Sequence, residues 1–288
     1  MSPRRVVFAA GLLAALSASA DPPLPQTASD VAGARALALA AYRGLATGND
    51  GIFTNPAALS ARRRYSVELQ YLVDRDGGTR VWQWAQASVV DSEASAVTGG
   101  FAYTRVFDGV STGNLWHLAM ASPASGGLHL GATGKILQLD GPAGRRTSYT
   151  ADAGLFWQLS SLVGLGVAGY NLVPVADRGE APQGMGVGLA VGDERRFHLV
   201  ADWRGDFDRR RKLTGAWLVG GEILVGDNVP LRGGFVRDET RGGNWWSAGL
   251  GLVTTGGLAV DLSYRQGVQQ RSDRTVAVAL KLFLHSSP

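Results

Sequence analysis

The amino-acid sequence predicts an all-β protein: a transmembrane antiparallel β-barrel of about fourteen strands, preceded by a small-residue segment suited to packing inside something larger. Three observations carry this reading. From Tyr65 onward, apolar and polar residues alternate in stretches of about ten residues separated by turn residues. The less apolar face of those stretches holds more charges than a dry core tolerates. The connections alternate between tight turns and longer, charged loops.

Composition narrows the alternatives. The chain has 288 residues, a length for one or two domains. It has 40 glycines and no cysteine, which excludes disulfide, zinc-thiolate and cysteine-nucleophile chemistry and a lipoprotein anchor. The formal net charge of +4 comes largely from arginines clustered in predicted loops, not on one face, so nucleic acid is not the expected partner. Residues 1–20 read as a secretory signal: Arg4 and Arg5, an apolar run from Val6 to Leu16, and the small-x-small site Ala18-Ser19-Ala20. The run is too short to span a membrane as a helix, which needs about 20 residues. The expected destination is the outer membrane of a Gram-negative bacterium.

Residues 21–62 form the next unit. DPPLPQTAS reads as an extended linker, residues 30–45 as a helix with Asp30 as its N-cap, and residues 46–62 as irregular chain. In this last part Asn55-Pro56-Ala57 is turn chemistry. Proline fixes φ and lacks an N–H, and the residue before it is pushed out of the α region.

The barrel unit spans 63–288. Strands are expected to start near 64, 79, 95, 112, 127, 147, 162, 183, 196, 212, 229, 245, 258 and 274. The clearest is Leu258–Tyr264, where Leu258, Val260, Leu262 and Tyr264 share one face and Ala259, Asp261 and Ser263 the other. The second strand has no clear phase, because Trp82 and Trp84 fall on the face of Gln86 and Ser88. With the first strand leaving the periplasm, the outer loops include Asp140–Arg146, Pro174–Pro182 and Asp206–Arg211, and both chain ends lie in the periplasm. Trp82, Tyr103, Trp157, Trp203, Trp217, Trp245, Trp246 and Tyr264 fall mostly near strand ends, where aromatic girdles sit.

The other face carries Glu68, Lys135, Asp152, Asp202, Arg204, Glu222, Arg232, Asp261, Arg265 and Lys281. Buried unpaired, each would cost several kcal/mol. A hydrated or ion-paired lumen accommodates them, while the apolar face meets lipid. A soluble β-sandwich, with a dry core and polar outer faces, is the alternative this pattern disfavours.

The stretch from Gly33 to Leu59, GARAL followed by GNDGIFTNPAAL, together with a signal peptide and about fourteen strands, resembles the FadL-like outer-membrane transporters and the related PorV-like proteins. The motif-level match covers about residues 33–59, and beyond it the resemblance is architectural. It implies that this segment is a hatch plugging the barrel, with Asn55, Pro56 and Ala57 as its Asn-Pro-Ala motif. It also implies a third strand kinked inward to open a side route into the membrane. Here the third strand contains Gly99-Gly100, and strand glycines often mark a bend. The chain departs from the fatty-acid transporters in its short outer loops and in a last strand that ends Leu284-His-Ser-Ser-Pro rather than at an aromatic residue.

The expected function is passive uptake of small hydrophobic compounds through a hatch-plugged lumen. The alternatives are a PorV-like docking role for secreted proteins and a simple structural or diffusion barrel. The expected partners are outer-membrane lipid and either a hydrophobic small molecule or a secreted protein, and the sequence sets no oligomeric state. An enzyme is not expected. His129 and His198 fall on the inner face with Asp152 and Asp202, but no nucleophile motif accompanies them. No cofactor or metal site is expected either, since the four histidines are isolated at 117, 129, 198 and 285.

Overall fold

The protein is described by a computed structural model covering residues 33–45, 48–76, 81–107, 109, 112–141, 144–176, 180–193 and 195–284. The signal-like stretch and the linker up to residue 32 lie outside the described residues. Two short helices, α1 (Ala34–Leu39) and α2 (Gly51–Thr54), and a 3-10 turn over Pro56–Ala61 precede the strands. The first seven strands are β1 (Tyr65–Asp76), β2 (Val81–Asp91), β3 (Thr98–Phe107), β4 (Thr112–Pro123), β5 (Leu128–Gly141), β6 (Gly144–Ser160) and β7 (Val163–Tyr170). The second seven are β8 (Gly184–Asp193), β9 (Phe197–Asp206), β10 (Thr214–Val225), β11 (Val229–Asp238), β12 (Gly243–Val253), β13 (Leu258–Gly267) and β14 (Asp273–Leu284).

Every strand pairs antiparallel with its neighbours in sequence, and β1 pairs with β14 from Tyr65↔Leu284 to Asp76↔Asp273. The sheet therefore closes and leaves no edge, the condition for a sheet to cross lipid with every backbone group paired. The start of β1 and the end of β14 lie at one end, which is the periplasmic end of such a barrel. Connections there are short, as at 161–162 and 226–228; the longer ones, 171–183 and 207–213, lie at the other end.

Side-chain alternation follows the pleat. Leu118, Leu199, Trp217, Leu250, Leu262 and Val278 are exposed on the outer wall, where lipid meets them, whereas Ser66, Glu68, Thr104, Thr133, Asp261 and Ser263 are buried on the inner wall. Tyr103 against Trp116 and Trp246 against Tyr264 form paired aromatics on the outer face, at 5.7 and 5.4 Å between ring centroids, the second pair toward the extracellular end.

The structure corrects the sequence reading in several places. Trp82 and Trp245 are not girdle residues. Both are buried inside: Trp82 stacks on Trp84 at 5.8 Å, and Trp245 lies under the Arg241 guanidinium at 4.4 Å. The strand phase at β2 is thus set by an apolar patch of the inner wall, where Trp82, Trp84, Leu72, Val106, Leu115 and Leu137 cluster with Leu37 of α1. The outer connection expected over Asp140–Arg146 lies there but is shorter than that stretch, since β5 runs to Gly141 and β6 starts at Gly144. Arg145 pairs with Asp140 at 2.7 Å across the hairpin. Of the helix expected over 30–45, residues 30–32 lie outside the described residues, and among those described it covers Ala34–Leu39. It ends at Ala40, whose φ is 62°, because the next amides turn away to the barrel wall.

Candidate functional site: the lumen and its inner segment

Residues 33–45 and 48–61 lie against the inner wall. They are broken into short helical turns with irregular chain between, so many of their buried amides and carbonyls need partners outside the segment. Lumen side chains supply them. The Ala34 amide donates to Gln70 Oε1 at 2.7 Å, and Ser263 and Ser247 donate to the Ala34 and Ala38 carbonyls at 2.5 and 2.8 Å. The Tyr42 and Arg43 amides both donate to Asp202 Oδ2, at 2.8 and 3.0 Å. Thr133 donates to the Ile52 carbonyl at 3.2 Å. The Asn49 side-chain NH2 donates to Ser88 Oγ and its Oδ1 accepts from Ser66 Oγ, at 2.9 and 2.7 Å.

Asn55 is fully buried and extended, with φ −159°. Its oxygen accepts from the Ala57 amide at 3.3 Å and starts the 3-10 turn, in which Pro56 occupies the first position. Its side-chain NH2 donates to the Arg43 carbonyl at 3.2 Å and to the Leu155 carbonyl of β6 at 3.0 Å. The Asn-Pro-Ala turn is thus tied both to its own segment and to the wall. Ser60 at the end of the turn lies 2.9 Å from His129 Nδ1 on β5.

Strand glycines make room for this contact. A Cβ at Gly220 would sit 1.9 Å from the Leu39 carbonyl oxygen, and one at Gly166 would sit 1.8 Å from the Arg43 carbonyl oxygen. Gly131 and Gly154 stand in the same way against Ala57 and Asn55. Gly100 faces inward with Ile52 of α2 beside it, whereas Gly99 faces outward into open space. The β3 ladder runs without a register break past both glycines, with Gly99 opposite Asp91 and Met120 and Gly100 opposite Val90 and Ala119.

The ten charged residues of the inner face sort into one chain and several separate pairs. Toward the periplasmic end, Lys281 reaches Glu68 at 3.5 Å, Asp261 at 3.4 Å and Asp50 of the inner segment at 3.9 Å. Arg232 joins Asp261 to Glu222, and Glu222 takes Arg35 of the inner segment at 2.8 Å. Lys135 pairs with Asp152 at 2.6 Å, Arg204 with Asp238 at 3.1 Å, and Arg265 with Asp74 at 3.4 Å. Asp202 takes Arg43 at 2.9 Å. Burial by itself lowers the Arg43 pKa, but the Tyr170 hydroxyl and the Asp202 carboxylate outweigh it and hold the pKa above its usual value. Arg43, Arg35 and Asp50 belong to the inner segment and complete these pairs. Sequence parity finds the wall charges but has no means of finding partners contributed by a segment outside the strands.

Beyond the inner segment, a cavity of about 190 Å³ lies in the extracellular half of the lumen. Its floor is formed by Ala36, Tyr42, Arg43 and Phe53, and its walls by residues such as His117, Lys135, Leu218 and Trp245. Among the described residues no group of three or more metal-ligating side chains converges.

A closed fourteen-stranded wall with an apolar outer face and a filled, ion-paired lumen defines an outer-membrane β-barrel. No model of a known protein family matches the chain, and no curated relative matches its sequence. Solved structures do match. The toluene transporter TodX of P. putida superposes with a TM-score of 0.69 at 13% identity, covering 88% of this chain and 99% of that one. The toluene transporter TbuX of Ralstonia pickettii gives 0.67 at 13% identity, covering 88% and 98%. A FadL homologue from Pseudomonas aeruginosa gives 0.66 at 13% identity, covering 91% and 99%. The fold is FadL-like, and these neighbours are transport proteins rather than enzymes.

Proposed function

We propose that this chain mediates passive passage of small hydrophobic compounds across the outer membrane, with residues 33–61 acting as a hatch. The observation that carries the reading is the cavity whose floor is the inner segment itself, so that a compound entering from outside meets the hatch before the periplasm. The FadL-like fold, shared with toluene transporters, supports it. Asn55, Pro56 and Ala57 hold the hatch in shape, and the lumen ion pairs anchor it. The finer element is a side exit at Gly99–Gly100. Small residues there leave the wall thin, and Ile52 of the hatch sits against Gly100, so displacement of α2 would uncover that part of the wall. Nothing on the molecule favours the protein-docking role over passage.

The test is uptake of toluene into proteoliposomes. Flux above protein-free vesicles, altered by replacing Asn55 and Pro56, is the expected result. Flux equal to that of empty vesicles defeats the reading.

A further inference from the structure

The cavity above the hatch is not a plain apolar pocket. Six cationic side chains line it: Arg43, Lys135, Arg204, Arg209, Arg241 and Arg265. Three of their carboxylate partners, Asp152, Asp238 and Asp206, line it too. The other three, Asp202, Asp273 and Asp74, are paired with Arg43, Arg241 and Arg265 at 2.9, 3.3 and 3.4 Å but lie behind them, outside the lining. Three ion pairs therefore present only their cationic ends to the cavity. In a lumen of low dielectric an orientation of this kind favours an anion, because a charge-assisted bond there is stronger than in water.

The rest of the lining mixes aromatic side chains, Tyr42, Phe53, His117, Tyr170 and Trp245, with aliphatic and polar ones. Phe53 meets the His117 ring edge-on at 4.9 Å, and Arg241 lies over Trp245 at 4.4 Å. Leu37 belongs both to the cavity and to the apolar patch of Trp82 and Trp84. The volume of about 190 Å³ falls below the ~300 Å³ at which drug-sized pockets begin. A single ring bearing one carboxylate is within such a volume.

We infer that the cavity is a binding site for a small aromatic acid, one ring bearing one carboxylate, held between the cations at Arg241 and Arg265 and the aromatic and apolar walls. The inference rests on the uptake reading for its role, but not for its chemistry. A ring supplies the hydrophobic body, and the carboxylate supplies the selectivity.

The experiment titrates the purified full chain in detergent with benzoate, benzamide, toluene and octanoate. It follows tryptophan fluorescence, since Trp245 lines the cavity, and heat by calorimetry. Benzoate is expected to bind saturably and at least about ten-fold tighter than its neutral isostere benzamide, with the advantage shrinking as salt rises. Arg265→Gln is expected to reduce the preference for benzoate over benzamide. The benzoate–benzamide comparison needs no variant and so survives any folding defect of Arg265→Gln. Equal binding of benzoate and benzamide, no binding of either, or octanoate binding as tightly as benzoate overturns the inference. Toluene flux in proteoliposomes separates the two claims. Flux without benzoate selectivity overturns this inference alone, and benzoate selectivity without any flux overturns the uptake reading alone.

Discussion

The Asn55 side-chain amide donates to the Leu155 carbonyl oxygen at 3.0 Å, joining the turn of the inner segment to the wall at β6. The same NH2 group reaches the Arg43 carbonyl twelve residues earlier in the chain. One buried side chain therefore fixes two parts of the segment against one strand. Each buried partner left unsatisfied costs about 1–3 kcal/mol. Asn55→Ala strands the Ala57 amide and removes both donated bonds, while the barrel's own ladders are untouched. The expected outcome is a barrel that still folds and migrates as a compact species, with faster proteolysis within residues 33–61. Protease protection equal to that of the unaltered chain would show that the turn does not hold the segment.

Two glycines that look alike in the sequence are expected to behave differently. A Cβ at Gly220 meets the Leu39 carbonyl oxygen at 1.9 Å, and the obstacle is backbone, which cannot swing aside as a side chain can. A Cβ at Gly99 meets nothing within 4 Å. Gly220→Ala is expected to push the inner segment off β10 and lower the thermal midpoint. Gly99→Ala should leave stability unchanged, since an exposed strand position costs little. Thermal unfolding of both variants checks the contrast, and equal midpoints would defeat it.

Lys281 stands among three carboxylates, Glu68, Asp261 and Asp50. Removing one partner of a buried ion pair typically costs about 3–5 kcal/mol, because the remaining charge is left uncompensated. Lys281→Met is expected to destabilise the barrel by that order, and adding Glu68→Gln to restore part of the loss. A double-mutant cycle measures the coupling. Strictly additive losses would mean that the two groups do not interact.

The strands that read clearly in the sequence are those where lipid demands an apolar face and the lumen holds small or charged residues. Leu258–Tyr264 is the plainest case, with Ala259, Asp261 and Ser263 buried opposite. At β2 that contrast vanishes. The inner wall there is apolar, because Trp82 and Trp84 pack with Leu37 of α1, while Gln83, Ala85 and Ala87 face outward. Hydropathy has no sign to follow when both faces meet apolar surroundings. The partners of the lumen charges were hidden for a different reason. Arg35 sits on the short α1 and Arg43 and Asp50 on the irregular chain around it, so only the closed barrel brings them to Glu222, Asp202 and Lys281. The short α1 likewise reflects tertiary bonding overriding the helix propensity of an alanine-rich run. The Tyr42 and Arg43 amides bond to Asp202 instead of continuing the helix.

The proposed side exit is open to a direct test, because the chain has no cysteine and any introduced pair stands alone. Val89 on β2 lies directly opposite Phe101 on β3, one residue beyond Gly100. Opposed residues of an antiparallel pair stand about 4.5–5.5 Å apart between Cα atoms, within the span a disulfide bridges. Val89→Cys with Phe101→Cys would fasten β3 to β2 beside the glycines. A matching pair on the far wall, Val219→Cys with Phe235→Cys across β10 and β11, serves as the control. If compounds leave through the wall at Gly99–Gly100, oxidation of the first pair slows toluene delivery to the membrane and reduction restores it, while the control pair has no effect. Unchanged delivery with β2 and β3 bridged would exclude a side exit that requires these strands to part, and would leave passage along the lumen past a displaced hatch.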